Sequence, residues 1–213
     1  MKKILICLFV LVLQSMQAQK LEKLNWFNEP DEWHIENNVL YMQVTPKTDY
    51  WRKSFYGFTV DDGPFYYGVY GGEFEVKVKL SGAYKSRFDQ TGLMLRIDKD
   101  HWIKAGVEYV DGNLNVSAVV TNVKSDWSVI SVKKTAAIWI KAVRRLDAVE
   151  LFYSFDDKTY VMYRNAPFQD HHPVKIGMMA ASPDGNGFEA KFENFTVRHL
   201  PDIRRTEWLK NNE

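Results

Sequence analysis

The chain of 213 residues has one cysteine, Cys7, and it stands inside the only long apolar run. A domain that follows this run has no disulfide to lean on, so its stability has to come from a core, which a length of roughly 190 residues can supply. That run is too short to cross a bilayer as a stable helix, and no later stretch reaches the required length. An excess of one charge is missing as well. The 28 basic and 27 acidic residues leave a net charge of +1, which favours neither nucleic acid nor an anionic membrane as partner. No glycine-rich phosphate loop opens a helix, and no serine or cysteine sits in a nucleophile elbow.

What the chain does have begins with MKKILICLFVLVLQSMQAQ, two lysines before an apolar run and a small residue, Ala18, after a short polar stretch. This pattern predicts a secretory signal over residues 1–18 with cleavage after Ala18, and a secreted or periplasmic domain over 19–213. Cys7 comes too early in the run to be a lipoprotein attachment site. Aromatic residues make up 15% of the chain, a surplus that suits sugar stacking and equally suits large strand-forming side chains.

Alternation with a period of two dominates from residue 33 onward. Leu93, Leu95 and Ile97 fall on one face, and Met94, Arg96 and Asp98 on the other. After the turn at 98–100, Ile103, Ala105, Val107 and Tyr109 continue the apolar face, opposite Trp102, Lys104, Gly106 and Glu108. Phe74, Val76, Val78 and Leu80 alternate with charged residues in the same way. Asn37-Asn38 reads as a hairpin turn, a second hairpin is expected over 58–70 around Asp61-Asp62-Gly63-Pro64, and a third turns at 156–158. About a dozen short strands with closely spaced turns and no long helix predict an all-β fold, a two-sheet antiparallel sandwich in one domain.

The succession DYWRKSFYGF, GEFEVKVKLSGAY, DQTGLMLRIDKDHWIKAGVEYVDG, SDWSV and ASPDGNGFEAKFENFTV resembles the DUF1349 family, a group of uncharacterised proteins also labelled as similar to a yeast regulator of enolase, within the concanavalin A-like lectin/glucanase superfamily. The resemblance covers about Asp49 to Val197. It implies a jelly-roll of two curved antiparallel sheets with a concave face, and it implies no settled activity.

On that fold Gln90, Arg96, Trp102, Lys104 and Glu108 are expected to share one concavity, with Trp51, Arg52, Trp127 and Trp139 at its rim or floor and Lys141 in phase with Trp139. A sugar ring offers a CH face to an indole and hydroxyls to charged groups, so this set predicts a carbohydrate or glycan partner, and Arg96 with Lys104 suggests an acidic sugar. The plainer alternative is that Arg96, Lys104 and Glu108 neutralise one another across neighbouring strands. Glycoside hydrolysis needs two suitably spaced carboxyl groups. The superfamily's glucanase run E-x-D-x-x-E is absent, and Glu108 paired with Asp89 or Asp49 is the remaining catalytic arrangement. A protein partner at the aromatic rim is the third reading. No cofactor is expected. His171-His172 reads as a turn rather than a metal site, and Asp184-Gly185-Asn186-Gly187 has the oxygens and glycines of a calcium loop without its spaced carboxylates. The sequons at Asn115 and Asn194 fall in predicted strands.

Overall fold

The computed structural model describes residues 20–133, 135–169 and 173–212. The apolar start and His171-His172 lie outside these residues. A short 3-10 turn, Leu21–Lys23, precedes sixteen strands among the described residues. They are β1 Asn25–Phe27, β2 Trp33–Glu36, β3 Val39–Gln43, β4 Tyr50–Arg52, β5 Thr59–Asp61, β6 Phe65–Tyr70, β7 Phe74–Gly82 and β8 Gln90–Arg96. There follow β9 His101–Val110, β10 Asn113–Asn122, β11 Lys124–Ser131, β12 Ile138–Arg145, β13 Ala148–Ser154, β14 Val161–Pro167, β15 Val174–Ala181 and β16 Glu189–His199. One α-helix among the described residues, α1 Ile203–Asn211, follows β16; the Asp202 side chain accepts from the Arg205 amide and caps it, and it buries no residue.

Fourteen of these strands form two seven-stranded sheets. The first runs β1-β6-β15-β8-β9-β10-β11 and the second β14-β13-β12-β7-β16-β3-β2, every pairing antiparallel. Together they make the two-sheet antiparallel sandwich that the alternation and the turns predict, with the jelly-roll architecture that the family resemblance implies. Leu93, Leu95, Ile103, Ala105 and Val107 from the first sheet meet Phe74, Val76, Val78, Leu80, Ile138 and Ile140 from the second in one dry core. Each fully buried side chain of this size contributes about 1.5–3 kcal/mol, which is how a domain without disulfides stands. Asn37 and Asn38 take positive φ, as the β2–β3 turn requires.

The expected hairpin over 58–70 does not form. Thr59–Asp61 pairs instead with Tyr50–Arg52 as a separate two-stranded ribbon, while Phe65–Tyr70 enters the first sheet between β1 and β15. Gly63 explains the break, because a Cβ there would lie 2.7 Å from the Ala180 carbonyl oxygen and 2.7 Å from the Tyr50 ring. The chain is pressed down onto the sheet at that point rather than turning back on itself. The ribbon therefore lies on the outer face of the first sheet, and this placement creates the site.

Candidate functional site

Side chains that leave the main core alternate onto the outer face of β8, β9 and β10: Gln90, Met94 and Arg96; Trp102, Lys104 and Glu108; Ser117, Val119 and Thr121. The ribbon covers half of this face. Beneath it Tyr50, Trp51, Phe65, Met94, Trp102, Val119 and Met179 form a second, smaller core. Two arginines pin the ribbon down. Arg96 donates from both terminal nitrogens to the Asp61 carboxylate at 2.5 and 2.6 Å, and its guanidinium lies 4.8 Å over the Phe27 ring. Arg52 pairs with Asp100 and donates to the Val123 carbonyl oxygen, while its amide donates to Ser125 Oγ.

Where the ribbon stops, a pocket of about 310 Å³ remains. Its floor is polar. Lys104 Nζ donates to Gln90 Oε1 at 2.7 Å and to Asp49 Oδ1 at 3.3 Å, and Gln90 Nε2 donates to the Phe88 carbonyl oxygen. Gln90 and Glu108 stand directly opposite each other on β8 and β9. The next pair along the same face is Gly92 and Gly106, where a Cβ on Gly106 would fall 1.9 Å from the Thr91 carbonyl oxygen. The strands press together there and leave nothing standing above the floor. Aromatic walls surround these polar groups. Trp51, Tyr56 and Phe58 stand on the ribbon side, with Tyr56 edge-on to Trp51 at 5.6 Å and stacked on Phe58 at 5.6 Å. Phe88 and Trp127 stand opposite, edge-on at 6.4 Å.

Trp127 is both wall and anchor. The residue is 37% exposed, while its Nε1 donates to Glu108 Oε2 at 2.9 Å and to Ser117 Oγ at 3.1 Å. Glu108 itself is buried, and burial raises its pKa above the ordinary 4.5, against the pull of Lys104 and the Trp127 hydrogen bond and with a smaller push from Asp49. A raised folded value means that the protonated form favours the fold. That contribution is present below pH 4.5 and is lost as the pH rises through the folded value, so ionised Glu108 costs stability at neutral pH. Glu108→Gln is expected to raise the melting temperature at pH 7 and to match the parent protein near pH 4. Calorimetry at the two pH values checks this. A variant less stable at pH 7 would mean that attraction to Lys104 outweighs burial.

The pocket brings together five of the ten residues expected from sequence to bind ligand: Trp51, Gln90, Lys104, Glu108 and Trp127. The others stand elsewhere. Trp102 is only 1% exposed in the second core, so it supports the floor and offers no stacking surface. Arg96 and Arg52 are spent on holding the ribbon, because each is paired with a half-buried carboxylate, Asp61 and Asp100 respectively. Trp139 and Lys141 lie on the outer face of the opposite sheet, since Ile138 and Ile140 take the inward phase of β12. There Trp139 stacks under Lys77 at 5.0 Å and Lys141 sits 4.0 Å over the Tyr160 ring. Asp89 is fully buried and accepts from the Lys85 and Ser86 amides and from Ser182 Oγ. It closes a loop and is not available as a catalytic carboxylate. Asp49 does line the pocket, and Tyr56, Phe58, Arg87 and Phe88 join it from loops that carry no alternation to betray them.

Among the described residues no three His, Cys, Asp or Glu side chains converge as a metal site. The turn at 184–187 is held by Lys47 and Ser182. The Asp184 carbonyl oxygen accepts from Lys47 Nζ, and the Gly187 amide donates to Ser182 Oγ. Asn115, at one sequon, is 6% exposed and accepts from Ser131 Oγ, and Asn194, at the other, has positive φ at an irregularity in the β16–β7 pairing. No helix of the described residues is long and apolar enough to cross a membrane.

Comparison with known proteins agrees with the fold. The chain is 36% identical over 179 residues to "Regulation of enolase protein 1" of Saccharomyces cerevisiae, covering 84% of this chain and 90% of that protein. The crystal structure of a functionally unknown protein from Saccharomyces cerevisiae superposes with a TM-score of 0.82 at 35% identity, over 86% of this chain and all of the other (100%). A GH43 protein of Bacillus licheniformis and a xylan beta-1,4-xylosidase of Bacillus halodurans share the fold at 15% and 13% identity, with TM-scores of 0.62 and 0.64. This chain covers 36% and 39% of their lengths, from 81% and 85% of its own. The profile described as "Protein of unknown function (DUF1349)" matches residues 26–200, and the chain belongs to that family.

Proposed function

We propose that this protein is exported and binds carbohydrate, holding a sugar ring in the pocket between Trp127 and the Trp51, Tyr56 and Phe58 wall, without chemistry of its own. One observation carries the reading: a hydrogen-bonded floor of Gln90, Lys104, Glu108 and Asp49 is flanked on both sides by aromatic rings in a cavity of about 310 Å³. A pyranose has an apolar CH face and a belt of hydroxyls, so it meets walls and floor at the same time. The volume falls at the lower end of the roughly 300–1,000 Å³ found for small-molecule sites. The lysines and apolar run at the N-terminus support export. The reading stops at binding because Asp89 is enclosed and Glu108 is held by Trp127.

A glycan array probed with the purified protein, followed by a reducing-sugar assay on each hit, tests this. Binding without release of reducing ends is expected. Trp127→Ala is expected to weaken binding roughly thirtyfold, about 2 kcal/mol, as removal of a central aromatic anchor does, while leaving the melting temperature within a few degrees. Release of reducing ends would instead make Glu108, with its raised proton affinity, a general acid and Asp49 its partner. A blank array would favour a protein partner at the aromatic rim.

A further inference from the structure

Resting on the sugar-binding reading of this pocket, we infer that the ring it takes carries a free, protonated amine, as a hexosamine does. The charge that faces the cavity decides this. The acidic-sugar expectation drew on Arg96 and Lys104, and the fold removes both as anion hooks. Arg96 is bound through both terminal nitrogens to Asp61 beneath the ribbon and does not line the pocket. The Lys104 ammonium is shared between Gln90 Oε1 and Asp49 Oδ1, with Glu108 close enough to feel its charge. Arg87 also lines the pocket, at its rim, where it lies 4.5 Å over the Phe88 ring and pairs at 3.8 Å with Asp111, which does not line the pocket.

On the other side of the balance stand the carboxylates of Asp49, Glu108 and Asp184. The floor thus sets Asp49 and Glu108 against the single ammonium of Lys104. In a partly dry cavity that excess attracts a cation and repels a uronate more strongly than it would at an open surface. The faces of Trp51, Tyr56, Phe58 and Trp127 add to the same preference, because an aromatic face is the negative part of the ring and favours an ammonium. With Arg87 counted, the lining sets Asp49, Glu108 and Asp184 against Lys104 and Arg87 and is one positive charge short. A bound amine would supply that charge and leave the remaining hydroxyls to Gln90 and the walls.

The test is a set of NMR titrations at pH 6.5 with four rings in both the gluco and galacto series: the amino sugar, its N-acetyl form, the neutral hexose and the uronic acid. In the series that binds, the amino sugar is expected to bind at least ten times more tightly than the hexose and the N-acetyl form, with the uronic acid weakest. Glu108→Gln and Asp49→Asn are each expected to reduce the preference to under threefold while hexose binding persists. Equal affinity for amino sugar and hexose, or a preference for the uronic acid, overturns the amine and leaves the sugar reading standing. If no ring in either series binds and the array is also blank, the sugar reading fails and takes the amine with it.

Discussion

Trp102→Ala is expected to lower the melting temperature by on the order of 10 °C, the largest loss of any substitution at the site. Trp102 is 1% exposed and is the largest of the fully buried side chains. Its ring meets Tyr50 edge-on at 6.1 Å and packs in a core that also holds Phe65, Met94, Val119 and Met179. Truncating a buried tryptophan costs about 3–5 kcal/mol, transfer and cavity together. For a domain of this size each kcal/mol is worth roughly 2–4 °C. The cavity has little chance to collapse, because the ribbon above it is tied at both ends by Arg52 and Arg96 and the sheet below is continuous. Trp102→Phe is expected to recover more than half of the loss, since it refills most of the volume. Calorimetry of both variants decides the matter. An unchanged melting temperature together with lost glycan binding would return Trp102 to the ligand surface.

Arg96→Ala is expected to cost about 2–4 kcal/mol and to weaken ligand binding at the same time. The Arg96 side chain is 5% exposed and Asp61 27%, so removing the arginine leaves a carboxylate that water reaches only in part. The full penalty for a stranded buried charge is therefore discounted. Binding suffers because Asp61 lies opposite Tyr50 in the ribbon, and the same ribbon carries the Trp51 wall. A double-mutant cycle with Asp61→Asn separates the pair from the packing of Arg96 over Phe27. The double variant is expected to be more stable than the sum of the two single losses allows. Strictly additive losses would show that the two side chains do not support each other, and the ribbon would need another anchor.

The outer face of β8 and β9 was legible residue by residue because a strand has only two faces. Once Leu93, Leu95, Ile103 and Val107 were assigned to the core, Gln90, Lys104 and Glu108 had to project the other way. The same rule placed Trp102 and Arg96 on that face correctly and misjudged their work. Alternation reports which side a residue takes, and it is silent on what later covers that side. The ribbon of Tyr50–Arg52 and Thr59–Asp61 arrives from elsewhere in the chain, buries Trp102 and neutralises Arg96. Trp139 and Lys141 were misplaced for a related reason. β12 alternates as cleanly as β9 does, but it belongs to the opposite sheet, and a strand's own pattern does not say which sheet it joins.

By itself the sequence determined the all-β class, the inward stripe of each central strand and the polar set on β8 and β9, because these follow from a side-chain period of two and from burial of apolar surface. Tertiary structure alone decided which of those polar residues line the pocket. The Asp61 carboxylate, brought to Arg96 by a non-local pairing, turns a candidate sugar hook into a structural clamp. Loop residues Tyr56, Phe58 and Phe88 become walls only when the ribbon and the sheet are brought together. The physical reason is the range of the interactions. Periodicity is set by neighbours along the chain, whereas a pocket and its net charge are set by groups that meet only after folding, such as Asp49 and Lys104 at 3.3 Å across 55 positions of sequence.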